Sequence, residues 1–314
     1  MTAATHLEAA SVEALLTWPG VMEAIENGHR SPPAEIDDTL LRRGDDSLLS
    51  RAAWIDGLGC AVKTATIFPS NSTVDLPTVH GSVSLFSDRT GRLDCTLDFH
   101  MVTKWKTAAD SALAASRLAR PDTNRILIVG SGTVAASMVD AYRSVFPGAD
   151  VGIWSRTPEN ARALAAAASA RVVSDLRAEI AEADLVCTAT MSSEPVVSGD
   201  WLRPGQHIDL IGGYRPDMRE ADDECIHRAS VFVDSVDTAL DVGDIGGPVG
   251  NGILDPERLV DFGGLESGAF ARSSDDEITL FKNAGGAHLD LMVARHMFER
   301  HSASDRRRLD VGSS

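Results

Sequence analysis

Residues 126–135, Ile-Leu-Ile-Val-Gly130-Ser-Gly132-Thr-Val-Ala135, constrain the fold more than any other stretch of the chain. An apolar run the length of one strand ends at Gly130, and a helix-forming segment opens directly after Gly132. G-x-G-x-x-A in that context is the mark of a dinucleotide-binding βαβ unit. Gly130 permits the tight turn, Gly132 lets the backbone approach a pyrophosphate, and Ala135 lets helix and strand pack closely. The first N–H groups of the helix, at Thr133 and Val134, have no intrahelical acceptor and face the phosphates.

The end of the second strand bears on which dinucleotide binds. An NAD site usually carries Asp or Glu there for the ribose 2′-hydroxyl, whereas this chain reads Trp154-Ser155-Arg156-Thr157. An arginine between two hydroxyls suits a 2′-phosphate, so NADPH is the expected cofactor, with NADH still open; a surface arginine is the plain alternative.

Around this motif the pattern is strict β/α alternation. Strands are expected at residues 125–129, 151–154, 184–190, 207–211 and 230–233, and helices at 134–145 and 158–168. Short apolar runs separated by helices imply a parallel sheet covered on both faces, an α/β doubly wound Rossmann domain. The preceding half reads as α+β: a helix over 11–27, a Pro-containing loop at 31–33, strands at 60–68 and 82–86, then a hairpin turn at 88–91 into a strand at 93–99. An Ala-rich connecting helix over 104–120 stops at Pro121, and the polar tail from Ser302 is expected to fray. The expected domains are residues 1–118, 119–288, and a C-terminal helix over 289–314 returning to the first domain. We find no internal repeat and no low-complexity linker.

Acidic residues outnumber basic ones, 46 to 29, for a formal net charge of −17 over 314 residues. Such a surface repels nucleic acid and anionic membranes, so neither is an expected partner. No apolar stretch is long enough to cross a bilayer, and residues 1–8 lack a basic region followed by an apolar run, so a cytoplasmic location is expected. Cys60, Cys95, Cys187 and Cys225 show no close pairing and read as reduced structural thiols; no metal site is expected.

Several separated segments, in one order, resemble the ornithine cyclodeaminase/μ-crystallin family. They are Val62-Lys63 followed by Leu76-Pro-Thr78-Val-His80-Gly81, then 106–115 (Lys-Thr-Ala-Ala-Asp-Ser-Ala-Leu-Ala-Ala), Gly130-Ser-Gly132, 205–220 (Gly-Gln-His-Ile-Asp-Leu-Ile-Gly-Gly-Tyr-Arg-Pro-Asp-Met-Arg-Glu) and 279–290. The resemblance implies a homodimer whose discontinuous α+β substrate and dimerisation domain is completed by the last helix. It also implies that the carboxylate of a small imino or amino acid is held by Lys63 and by Lys106, where the family commonly has arginine. Lys63 is a lone cation in a strand of Ala, Val, Thr and Ile, costly on a buried face unless an anion meets it; a lysine turned to solvent is the alternative. For an assisting arginine, Arg42, Arg43 and Arg51 compete, with Arg43 taken as the candidate. His80 and Gly285 complete the expected substrate set.

The expected cofactor contacts are Thr78, Lys106, Thr107, Gly130, Gly132, Thr133, Val134, Ser155, Arg156, Thr157, Thr190, Met191, Ile211, Gly212 and Gly213, the last few shaping a nicotinamide crevice at strand ends. True cyclodeaminases of the family have an aspartate after the Gly-Gly pair and a lysine four residues on; here these are Tyr214 and Met218. The loss of both points to the imine-reductase branch. The expected function is NAD(P)H-dependent reduction of a small imino acid, foremost Δ1-pyrroline-2-carboxylate to proline. Reduction of iminosuccinate, reductive amination to alanine, ornithine cyclodeamination and non-catalytic NADPH binding are the alternatives. Lys63, Lys106 and Tyr214 are the candidate catalytic residues, with Tyr214, His80 or solvent as the proton source.

Overall fold

The structure is a computed structural model that describes residues 5–74 and 76–312. The first four residues of the segment read for a leader lie outside the described residues, as do the last two of the tail. The chain divides into two compact units, residues 1–106 with 286–314, and residues 107–285. The divisions therefore fall between Lys106 and Thr107 and between Gly285 and Gly286, not at 118 and 288.

The first unit contains β1 (Thr5–Leu7), α1 (Ala9–Val12), α2 (Trp18–His29), β2 (Glu35–Arg43), β3 (Asp46–Ile55), β4 (Gly59–Ile67), β5 (Val79–Phe86) and β6 (Leu93–Asp98). The single helix expected over 11–27 is broken. Thr17 is extended, its hydroxyl accepts from the Gly20 N–H at 3.2 Å, and Pro19 sits in the first turn of α2. β2 and β3 escaped the sequence pattern because β2 is exposed along all nine residues and so has no apolar alternation to detect.

These strands form one sheet in the order β1-β6-β5-β4-β3-β2, antiparallel except for β1 against β6. Its register fixes which side chains share a face, because successive residues alternate. Lys63 lies opposite Arg51 on one side and Val83 on the other. On that face Ala53, Ile55, Ala61, Ala65, Val83, Leu85 and Leu97 are buried.

α3 (Phe99–Leu118) starts five residues before the expected 104, because Asp98 caps it: its carboxylate accepts from the Met101 N–H at 2.7 Å. The helix runs through the division between the units.

The second unit adds β7 (Arg125–Val129), α4 (Thr133–Val145), β8 (Asp150–Trp154), α5 (Pro158–Ala167), β9 (Arg171–Val172), α6 (Leu176–Glu182), β10 (Leu185–Thr188), β11 (His207–Leu210), α7 (Asp223–Arg228), β12 (Ser230–Val233), α8 (Val236–Leu240), α9 (Gly243–Gly250) and β13 (Thr279–Lys282). The strands pair in parallel in the order β12-β13-β11-β10-β7-β8-β9. The first strand, β7, therefore has β8 and β9 on one flank and the later strands on the other, the doubly wound arrangement. β7, β10, β11 and β13 are buried nearly throughout, as strands covered on both faces must be. Each fully buried Leu, Ile or Val there contributes about 1.5–3 kcal/mol.

Returning to the first unit, α10 (Ala287–Gly312) packs against β3, β4, β5 and α2. The tail expected to fray from Ser302 is helical to Gly312. Arg295 fixes the helix to the sheet by donating to the carbonyls of Leu58 and Phe86, both at 2.8 Å, and pairing with Asp94 at 2.9 Å. All four cysteines are unpaired; Cys95, Cys187 and Cys225 are buried, and burial raises the thiol pKa of Cys95 to about 12.

Candidate active site

In the second unit the ends of β7, β8 and β10 converge on Gly130. Its N–H donates to the Trp154 carbonyl at 2.8 Å, its φ is +138°, and a Cβ would stand 2.5 Å from the Ala189 carbonyl oxygen. Only glycine fits. Gly132 differs: a Cβ there would meet nothing within 4 Å, and no side chain caps the start of the 13-residue α4. Its leading N–H groups, beginning at exposed Thr133 and half-buried Val134, are free to meet an anion. Ala135 is fully buried against the sheet.

Ser131 and Ser155 hydrogen bond through their hydroxyls at 3.0 Å, tying the glycine loop to the end of β8. Arg156 and Thr157 are exposed beyond it, and no acidic residue stands there. These residues fit the pyrophosphate and ribose of a dinucleotide.

Further along the same strand ends, Thr190 is half-buried, Met191 is exposed, Ile211 is buried, and Gly212 and Gly213 carry no side chain. Beneath them lies Glu220, a buried carboxylate without a role in the sequence reading. Thr107 is buried, and its carbonyl accepts from Asn283 at 3.0 Å. Gly285 has φ +79° and donates to Asp234 at 2.5 Å.

The first unit holds the cationic group. Lys63 is on the covered face of β4, where its ammonium pairs with Asp290 of α10 at 2.9 Å; the two side chains are 12% and 3% exposed. The ammonium also lies 4.9 Å from the centre of the Phe99 ring. Burial lowers the Lys63 pKa, Asp290 opposes the shift, and Lys106 adds to it. Lys106 is 6% exposed, and among the described residues no hydrogen bond or ion pair holds it.

Arg51, opposite Lys63 in register, pairs with Asp38 at 2.8 Å. His288 is buried close to the same charges. Burial foremost, then His29 and Lys106, lower its pKa to about 3, so it is neutral.

Register removes two candidates from this group. Arg43 pairs with Asp46, five residues before Arg51, which places it about 17 Å along the hairpin from the level of Lys63 and on the opposite face. There it bonds Asp46 at 2.9 Å and lies over Phe68. Arg51 is therefore the arginine that accompanies Lys63. His80 pairs with Thr66, also on the face opposite Lys63, and is exposed. Thr78 lies just ahead of β5, its carbonyl accepting from the Phe68 N–H at 2.8 Å. Tyr214 is 56% exposed beside Arg215, and Met218 is buried. Among the described residues no group of three or more His, Cys, Asp or Glu could hold a metal ion.

A Rossmann unit with a glycine loop at its switch point, joined to an α+β unit bearing a buried lysine cluster, defines a two-unit dinucleotide-binding protein. Residues 52–305 match the model of the ornithine cyclodeaminase/mu-crystallin family, and the chain belongs to that family. It is 46% identical over 291 residues to the Delta(1)-pyrroline-2-carboxylate reductase of Paracoccus denitrificans (strain Pd 1222), covering 90% of this chain and 92% of that protein. Among solved structures, it resembles the Thermococcus litoralis Delta(1)-pyrroline-2-carboxylate reductase in complex with NADH and L-proline, with TM-score 0.86 and 26% identity over 96% of this chain and 98% of that one. It is also similar to an archaeal alanine dehydrogenase dimer with bound NAD, with TM-score 0.89 and 27% identity over 96% and 97%.

Proposed function

We propose that the protein is an NAD(P)H-dependent imine reductase that converts Δ1-pyrroline-2-carboxylate to L-proline. The observation that carries this reading is the pair of buried cations in the first unit: Lys63, held by Asp290, and beside it Lys106, which is 6% exposed and has no hydrogen bond or ion pair among the described residues. A buried cation without a partner calls for an anion. A monocarboxylate balances it. The similarity to pyrroline-carboxylate reductases supports the same choice.

What the dinucleotide supplies is a hydride, delivered to the imine carbon. Lys63 and Lys106 hold the substrate carboxylate and thereby orient the C=N bond, Asp290 keeps the Lys63 ammonium charged and aimed, and the Phe99 ring offers an apolar surface beside it. With His80 on the opposite face and Tyr214 exposed, the proton for the imine nitrogen would come from solvent, and reduction would require no strong acid from the chain. With exposed Tyr214 and buried Met218 at the cyclodeaminase positions, no acid–base pair serves ornithine cyclisation.

The active form is a homodimer. β2 is a nine-residue edge strand exposed along its length, and Ile36, Leu40, Leu41 and Trp54 are 42–60% exposed on this hairpin, a surface that in isolation invites pairing. The test of function is oxidation of NADPH and NADH followed by absorbance, with Δ1-pyrroline-2-carboxylate, iminosuccinate, pyruvate plus ammonia, and ornithine as substrates. Turnover is expected to be fastest with the pyrroline. Faster turnover of iminosuccinate, or ammonia release from ornithine at a comparable rate, refutes the assignment.

A further inference from the structure

The strand ends proposed to receive the nicotinamide are bare backbone. Gly212 and Gly213 have no side chains, and a Cβ on Gly212 would fall 1.8 Å from the Thr190 carbonyl oxygen. The loops after β10 and β11 thus touch through main chain alone, and their separation depends on what holds the backbone. One buried carboxylate does so. Glu220 Oε1 accepts from the Thr190 N–H and from the Thr190 hydroxyl, both at 2.7 Å, and Oε2 accepts from the Gly212 N–H at 2.6 Å.

Glu220 is itself fixed from below. Its N–H donates to Asp244 Oδ1 at 2.7 Å, its carbonyl accepts from the N–H groups of Val196 and Val197, and Asp244 Oδ2 pairs with Lys282 at 3.1 Å. Glu220, Asp244 and Lys282 are all fully or almost fully buried. A network of this kind is costly to bury and fixes geometry closely when every member is satisfied.

We propose that Glu220 is a positioning residue for the nicotinamide half of the bound dinucleotide, bracing the Thr190 and Gly212 loops at the spacing that admits the ring. The inference rests on the dinucleotide-binding reading above. Among the described residues no hydrogen bond joins Glu220 to the Gly130 loop, so its bracing acts on the nicotinamide side rather than on the adenosine and pyrophosphate half. Replacing Glu220 by Gln preserves shape, but in either orientation of the amide one backbone N–H, of Thr190 or of Gly212, meets an N–H instead of an oxygen.

The experiment measures dissociation constants without imino acid, for NADH against ADP-ribose and for NADPH against 2′-phospho-ADP-ribose, the second of each pair lacking nicotinamide. In Glu220→Gln the dinucleotide is expected to bind about tenfold more weakly, while its nicotinamide-free counterpart stays within about twofold of the parent. Thr190→Val, which removes the hydroxyl's bond to Glu220 and its weak one from the Ser192 N–H but keeps the Thr190 N–H bond to Glu220, should show the same split at smaller size and serves if Glu220→Gln does not fold. Parallel losses for both members of a pair, or no loss for either, overturn the proposal. A parent protein that binds none of the four ligands refutes the dinucleotide reading instead.

Discussion

Deleting the Lys63 charge tests the carboxylate site, but the structure dictates how the deletion must be made. Lys63→Met alone strands Asp290, a carboxylate 3% exposed whose ion-pair partner is Lys63. Removing one member of a buried pair costs roughly 3–5 kcal/mol, because the other charge is left uncompensated, whereas replacing both with apolar residues of similar size is often neutral. The single variant should therefore lose stability as well as activity. Lys63→Met with Asp290→Leu removes one charge of each sign, keeps the net charge of the group at its parent value through Lys106, and should recover most of that stability.

Activity should not recover with it. A charge-assisted hydrogen bond to a partly shielded carboxylate is worth about 1.5–3 kcal/mol, or about one to two decades. If this bond also aligns the imine carbon, its loss lowers kcat as well as raising KM. The assay pairs urea denaturation with imino-acid-dependent NADPH oxidation across the parent, the single variant and the double variant. We expect the double variant to be near parental in stability and in NADPH binding, yet at least about tenfold lower in kcat/KM. Parental kcat/KM in the double variant would refute the reasoning, since the carboxylate would then bind elsewhere.

Arg156→Ala should weaken NADPH by at least about tenfold more than NADH, measured as dissociation constants; equal losses, or a parental preference for NADH, would sink the 2′-phosphate assignment. Arg51→Ala should raise KM for the imino acid about tenfold while Arg43→Ala stays within about twofold, the difference following from the face each occupies; the reverse ranking would show the register argument wrong. Acidification should destabilise the first unit through His288. Its folded pKa is about 3, and the unfolded chain protonates near 6.5, so its contribution is intact above pH 6.5 and falls by about 1.4 kcal/mol per unit as pH drops toward 3. Urea midpoints at pH 7, 6 and 5 should fall faster for the parent than for His288→Leu, and identical slopes would contradict it.

How far the sequence could be read follows from what each half of the site is made of. The dinucleotide loop is built of backbone, and backbone demands appear locally: Gly130 is required by a positive φ and a carbonyl 2.5 Å from where its Cβ would be, and six consecutive residues announce it. The parallel strands β7 and β10 are legible for a similar reason, since burial on both faces leaves a largely unbroken apolar run. β2 gave no such signal, because an exposed edge strand has no pattern to show.

The substrate half is built of side chains that meet only through long-range register. Lys63 and Asp290 are 227 residues apart, and the sequence named the first without the second. Arg42, Arg43 and Arg51 compete in the sequence because three arginines in one segment are indistinguishable until the strand pairing assigns each a face. Glu220 has no role legible in the sequence, since a glutamate's ordinary place is in solvent and only the closure of β10 against β11 turns this one inward. The charge argument for a monocarboxylate is of this second kind. It depends on Asp290 meeting Lys63 while buried Lys106 keeps no partner of its own, and no count of acidic and basic residues along the chain, with its surplus of acids, would have produced a site that is locally positive.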